Sequence, residues 1–130
     1  METLKTIKQT HSESACKARL SAVADALYAI GGKWKLRIIV ALMESNRRFN
    51  ELQRLIEGIS AKVLSAELKE LELNGFVRRK VFTGTPVVVE YELSTYSETL
   101  YEVLDALNKW GVMHRENVKK SMKKKGNVEM

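Results

Sequence analysis

Four side chains recur on one side of a candidate helix. Over residues 60–74, Leu64, Leu68 and Leu71 define an apolar face, and the opposite side carries Lys62, Ser65, Ala66 and Lys69. Small residues between long cations let a helix approach a polyanion closely, while the ammonium groups reach phosphate or the acceptor edge of guanine. Ser60, just ahead, is suited to cap this helix and to offer its hydroxyl and the first N–H groups to a phosphate. The plain alternative is a solvated helix face behind a serine cap. Arg78-Arg79-Lys80 is the densest cluster of cations outside the chain end. It can meet a phosphate backbone, or it can pair with Glu90 and Glu92 across a sheet, at roughly 0.2–1 kcal/mol a pair. Arg47 and Arg48 form a smaller group, open to a phosphate or to solvent. Lys33 and Lys35 are open to the same use, while Trp34 between them reads as core.

Nothing in the chain assembles a catalytic centre. There is no glycine-rich phosphate loop, no GxSxG elbow and no HExxH pair, and Cys16 has no evident general base, so the chain does not read as an enzyme. One cysteine and two distant histidines exclude the usual structural zinc site, and neither metal nor cofactor is expected. Lys17 and Arg19 stand beside Cys16, a setting in which a thiol either senses oxidants or is a bystander. Lysine and arginine total 22 against 16 acidic residues, a formal net charge of +6 that fits a polyanionic partner. The 130 residues suffice for one domain. No apolar run reaches the length of a membrane span, and residues 1–14 lack the apolar stretch of a secretory signal. The expected address is cytoplasmic, with no membrane partner.

Short helices must position the cationic groups. Leu20, Val23, Ala24, Leu27 and Ile30 recur at helical spacing up to Gly31-Gly32, which stops the first helix. A second helix over residues 33–44 is apolar on more than one face and belongs centrally in the core. Phe49 can anchor the start of a third, with Asn50 as its cap, Gln53 three residues on, and Leu52, Leu55 and Ile56 on its buried side. Glu57-Gly58-Ile59 connects it to the fourth, which runs from Ser60 to Asn74 and is closed by Gly75. The period then changes. Residues 77–82 and 87–93 are rich in β-branched and aromatic side chains around Thr83-Gly84-Thr85-Pro86, the signal of a hairpin. A last helix starts near Ser94 or Thr95, with Thr95 and Glu98 as a capping box.

The order predicts a mainly α fold with a small β-hairpin, that of a winged helix-turn-helix. Its three-helix core and wing are accompanied by extra terminal helices. Residues 1–15 read as a loosely ordered arm with Leu4 and Ile7 as isolated anchors, residues 16–118 as the domain, and residues 119–130 as a basic tail that frays.

The sequence resembles the HxlR-type winged-helix transcriptional regulators of bacteria and archaea, over roughly residues 21–111. The resemblance is carried by Ile30-Gly31-Gly32-Lys33-Trp34-Lys35, by Arg48-Phe49-Asn50-Glu51-Leu52 and by Gly58 to Ser65. Leu68 to Glu72 with Gly75-Phe76-Val77, and Val89 to Leu93, complete it. It implies a DNA-binding transcriptional regulator acting as a dimer built from its terminal helices. Many members carry a cysteine where Ser21 stands, and some use it to sense oxidants; Cys16 lies upstream of that position. Members often have glutamines at the positions of Ala61 and Ala66 and an arginine in the wing at that of Val88, so shape readout is expected to outweigh direct base contacts here.

On these grounds the expected DNA-binding residues are Ser60, Lys62, Ser65, Ala66, Lys69, Arg78, Arg79, Lys80 and Arg48. The last helix carries a stripe through Leu100, Val103, Leu104, Leu107, Trp110 and His114. A three-helix core cannot cover both this stripe and that of the first helix, and exposed stripes signal association. Leu20, Val23, Leu27, Leu100, Leu104, Leu107 and Trp110 are accordingly the expected dimer interface. The expected partners are double-stranded DNA, on a short near-palindromic operator, and a second copy of the chain; any redox or small-molecule effector is unassigned. The alternative is a winged helix used for protein–protein contact without DNA binding.

Overall fold

Helix α1 spans Glu13–Ile30, and the Ser12 side chain caps it by accepting from the Ala15 N–H at 3.1 Å. The structure is a computed structural model that describes residues 12–128; Leu4 and Ile7 of the expected arm lie outside the described residues. The helix starts earlier than its apolar pattern, because a serine cap followed by Glu13 in the first turn is a sufficient start signal. It ends where the Gly31 N–H bonds to the Leu27 carbonyl at 2.7 Å. A Cβ at Gly31 would lie 2.2 Å from that oxygen, so the close approach itself requires glycine.

Helix α2 spans Lys35–Glu44 and buries Ile38, Ile39 and Leu42, at the centre of the core as its pattern predicts. Helix α3 spans Phe49–Leu55. Its cap is Arg48 rather than Asn50: the Glu51 carboxylate accepts from the Arg48 N–H at 2.9 Å, one half of a capping box. Leu52 is buried with Ile56 just beyond the helix, whereas Leu55, expected inside, faces outward. Gly58, at φ +87°, makes the turn into α4, a backbone conformation that side chains with a Cβ rarely adopt. Helix α4 spans Ala61–Leu73, and its Leu64, Leu68 and Leu71 complete the centre of the core.

Strands β1 (Val77–Phe82) and β2 (Val88–Leu93) form the expected hairpin, antiparallel, with Arg78 opposite Glu92, Arg79 opposite Tyr91 and Lys80 opposite Glu90. Arg47 adds one further bridge to Tyr91, tying the hairpin to the loop before α3. After β2 the chain makes a 3-10 segment at Thr95–Leu100, and α5 follows over Tyr101–Val128. The Thr95–Glu98 capping box does not form. The Ser97 hydroxyl instead donates to the Ser94 carbonyl, tightening the turn to 3-10 spacing. Helix α5 also continues through the basic segment expected to fray. Lysine is a good helix former, and the Glu116–Lys119 contact at 3.8 Å adds local support.

Leu100 and Leu104, expected at the dimer interface, pack within the protomer. They are 9% and 7% exposed and belong to the protomer's own core, because the 3-10 turn lays the start of α5 against it. The two terminal helices are otherwise little used. None of the described residues of α1 is buried, and Leu107 and Trp110 are 47% and 56% exposed. Among the described residues no helix is long and apolar enough to cross a membrane.

Candidate nucleic-acid interface

The outward side of α4 carries Lys62, Ser65, Ala66 and Lys69, all exposed. The leucines behind them fix the helix's roll, so the face is set by core packing. Neither lysine is in an ion pair among the described residues. Ser60 caps α4 by accepting from the Val63 N–H at 3.2 Å, while the first main-chain hydrogen bond within the helix is from Leu64 to the Ser60 carbonyl. The N–H groups of Ala61 and Lys62 therefore point out of the helix start, with the positive end of its dipole.

The hairpin's register resolves which of its cations stay free. Lys80 Nζ lies 4.0 Å from Glu92 Oε2 and 5.7 Å from the Phe82 ring centroid. Arg78 and Arg79 are exposed without a carboxylate partner among the described residues, although Arg78 sits opposite Glu92. The alternation of a strand puts Arg78 and Lys80 on one face of the hairpin and Arg79 on the other.

The two arginines before α3 part company. The Arg47 Nε donates to the Ala41 carbonyl at 2.7 Å, and its guanidinium lies 3.8 Å from Glu44, so this arginine pins the loop to α2. Arg48 keeps its guanidinium exposed. The lysines flanking Trp34 separate likewise. Lys33 Nζ lies over the Trp34 ring, 4.8 Å from its centroid, with Arg37 at 5.4 Å.

Lys35 is no backbone contact: it is 9% exposed. Its Nζ lies 2.6 Å from Glu70 Oε2 and 2.9 Å from Glu67 Oε2, joining the start of α2 to α4. Among the described residues, Glu67 Oε2 is buried without any other partner. The Glu70 and Glu67 carboxylates hold the Lys35 ammonium above its ordinary value of 10.5, against the opposing effect of burial. Sequence reading missed this triad. The i, i+3 spacing of Glu67 and Glu70 was visible, but only the fold brings residue 35 beside them.

The remaining candidates lie elsewhere. Cys16 is free and exposed on α1. Trp110 stacks on His114 with ring centroids 4.7 Å apart, so this histidine serves packing on the α5 surface.

The helix-turn-helix and its adjacent hairpin lie within residues 29–119, which match a family described as HxlR-like helix-turn-helix. The chain belongs to that family. It is 41% identical over 100 residues to the HTH-type transcriptional regulator YdzF of Bacillus subtilis, covering 76% of this chain and 92% of YdzF. The crystal structure of the HTH-type regulator ytcD is similar at a TM-score of 0.70 and 42% identity, over 72% of this chain and 96% of that one. The redox regulator HypR in its reduced form is similar at a TM-score of 0.71 and 33% identity, over 76% of this chain and 98% of that one. The HxlR-like unit thus includes the helix-turn-helix, the wing and most of α5.

Proposed function

We propose that the chain is a transcriptional regulator that binds duplex DNA sequence-specifically, as a homodimer on a short, near-palindromic operator. The observation that carries this reading is the outward side of α4. It presents Lys62, Ser65, Ala66 and Lys69, with neither lysine in an ion pair among the described residues, and the hairpin strand that carries the exposed Arg78 and Arg79 packs against the same helix. In this reading α4 enters the major groove, where Lys62 and Lys69 reach base edges or phosphates. Ser60, Arg48 and the wing cations hold the backbone, with Lys80 partly diverted to Glu92. The side chains of Ala61 and Ala66 offer no hydrogen bonds, so operator shape contributes to selectivity. Such a regulator works where the DNA is, in the cytoplasm.

The dimer follows from unspent apolar surface. Helix α1 is about 27 Å long at 1.5 Å per residue, and Leu20, Val23 and Leu27 along it are exposed. An open groove of about 610 Å³ runs between α2, α3 and α5, with Leu36, Val40, Leu55 and Leu107 among its walls. A partner's α1 stripe suits that groove, with Trp110 extending the seam. Two copies then place two α4 helices on half-sites about one helical turn apart.

Leu73, exposed at the end of the same side of α4, favours the second reading, a protein-binding face. A gel shift with the promoter segment next to the chain's own gene, followed by sedimentation of the complex, separates the two. Two chains on one duplex support the proposal. Absence of any shift in low salt leaves the protein-contact reading.

A further inference from the structure

The helix proposed to face DNA carries more acid than base: two lysines, Lys62 and Lys69, against three glutamates, Glu67, Glu70 and Glu72. Glu72 stands three residues after Lys69 on one border of the outward side, and Glu70 on the other. Glu70 follows Lys69 directly and lies one turn beyond Ala66, about 40° from it around the helix. Its side chain is 58% exposed, yet its carboxylate is drawn inward to the Lys35 ammonium at 2.6 Å. Among the described residues, Lys35 meanwhile supplies the only partner of the buried Glu67 Oε2. It stands at the first residue of α2, whose Ile38 and Ile39 are fully buried, so the ammonium is held on a rigid element.

We propose that Lys35 is a positioning residue for DNA binding: by holding the Glu70 carboxylate against α2, it keeps a negative charge off the phosphate-facing side of α4. The inference rests on the DNA reading above. Freed from Lys35, Glu70 would extend into solvent one turn beyond Ala66, where it would repel nearby phosphates within a Debye length of about 8 Å. Lys33, two residues earlier, cannot replace Lys35, because its ammonium lies over Trp34.

A double-mutant cycle tests this, run in a Glu67→Gln background so that loss of Lys35 strands no buried carboxylate. Its four corners are the background alone, Lys35→Met, Glu70→Gln and both, each melted to verify folding and titrated with the promoter duplex at fixed salt. With Lys35 present, Glu70→Gln is expected to change affinity less than about threefold; with methionine at 35 it is expected to strengthen binding at least about tenfold. A lysine with only a structural role gives the same factor in both backgrounds, and that result overturns the proposal. If the wild-type chain itself binds no duplex in low salt, the DNA reading fails first and this inference falls with it.

Discussion

Arg47 and Tyr91 exchange both of their main-chain hydrogen bonds. The Arg47 N–H donates to the Tyr91 carbonyl at 3.1 Å, and the Tyr91 N–H to the Arg47 carbonyl at 2.7 Å. The bridge fixes the wing to the loop that starts α3, so the hairpin cations keep a set position relative to the helix-turn-helix. The Arg47 side chain reinforces it through Ala41, while its neighbour Arg48 is exposed and in no ion pair among the described residues.

The neighbouring arginines should therefore separate stability from binding. Arg47→Ala is expected to cost about 1.5–3 kcal/mol, the range for a hydrogen bond from a charged group in a partly buried site. Arg48→Ala is expected to stay within about 0.5 kcal/mol of wild type in stability while weakening DNA binding. Urea unfolding and duplex titration on both variants, at one protein concentration, check the pair. Equal destabilisation would remove the distinction.

The wing and α4 should differ in kind. Arg78→Ala or Arg79→Ala should weaken all duplexes alike and reduce the log–log salt slope by about one unit. Lys62→Ala or Lys69→Ala, if the side chain reads a base, should cost about 1–3 kcal/mol and relax preference at one operator position. Titration of each variant against operator and scrambled duplex reads both effects. Four variants that bind both duplexes like wild type would show that the winged helix faces something other than DNA.

The apolar stripes should separate core from seam. Leu104→Ala is expected to destabilise the protomer by about 2–5 kcal/mol, since the side chain is buried within the chain. Leu27→Lys or Trp110→Lys should leave the protomer folded and give a monomer by sedimentation at micromolar concentration. A wild-type chain that sediments as a monomer under those conditions would remove the dimer from the proposal.

Lys35 predicts an alkaline dependence. Its ammonium is raised above 10.5 in the folded chain, by Glu70 first and Glu67 second. The pair's contribution is therefore complete below that ordinary value and is lost as pH rises through the higher folded value. The stability gap between wild type and Lys35→Met, up to about 3 kcal/mol for a buried pair with one half-exposed member, should close across that window. Every other side chain is common to both chains, so the difference isolates residue 35. A gap independent of pH would contradict the assignment.

Periodicity carried most of the fold. The leucines of α4, the run of Ile38, Ile39 and Leu42 in α2 and the β-rich stretch after Gly75 each name their element, because one face of each must be buried. The start of α3 was not legible, because Arg48, Phe49 and Asn50 compete as caps and only the Glu51 carboxylate decides. Leu100 and Leu104 look like the rest of the α5 stripe, and only the 3-10 turn turns them inward. The outward side of α4 was readable from spacing alone. The fates of Lys33, Lys35 and Arg47 were not, since each is settled by a partner close in space: a ring, two carboxylates and a carbonyl.

The most direct measurement is the affinity of the full chain for its promoter duplex and for a scrambled duplex, each followed across a salt series. Binding to the promoter duplex is expected to be at least about 10³-fold tighter than to the scrambled one. Log Kd is expected to rise with log salt by about 0.9 for each phosphate neutralised. Equal affinity for the two duplexes with a slope near zero would contradict sequence-specific DNA binding.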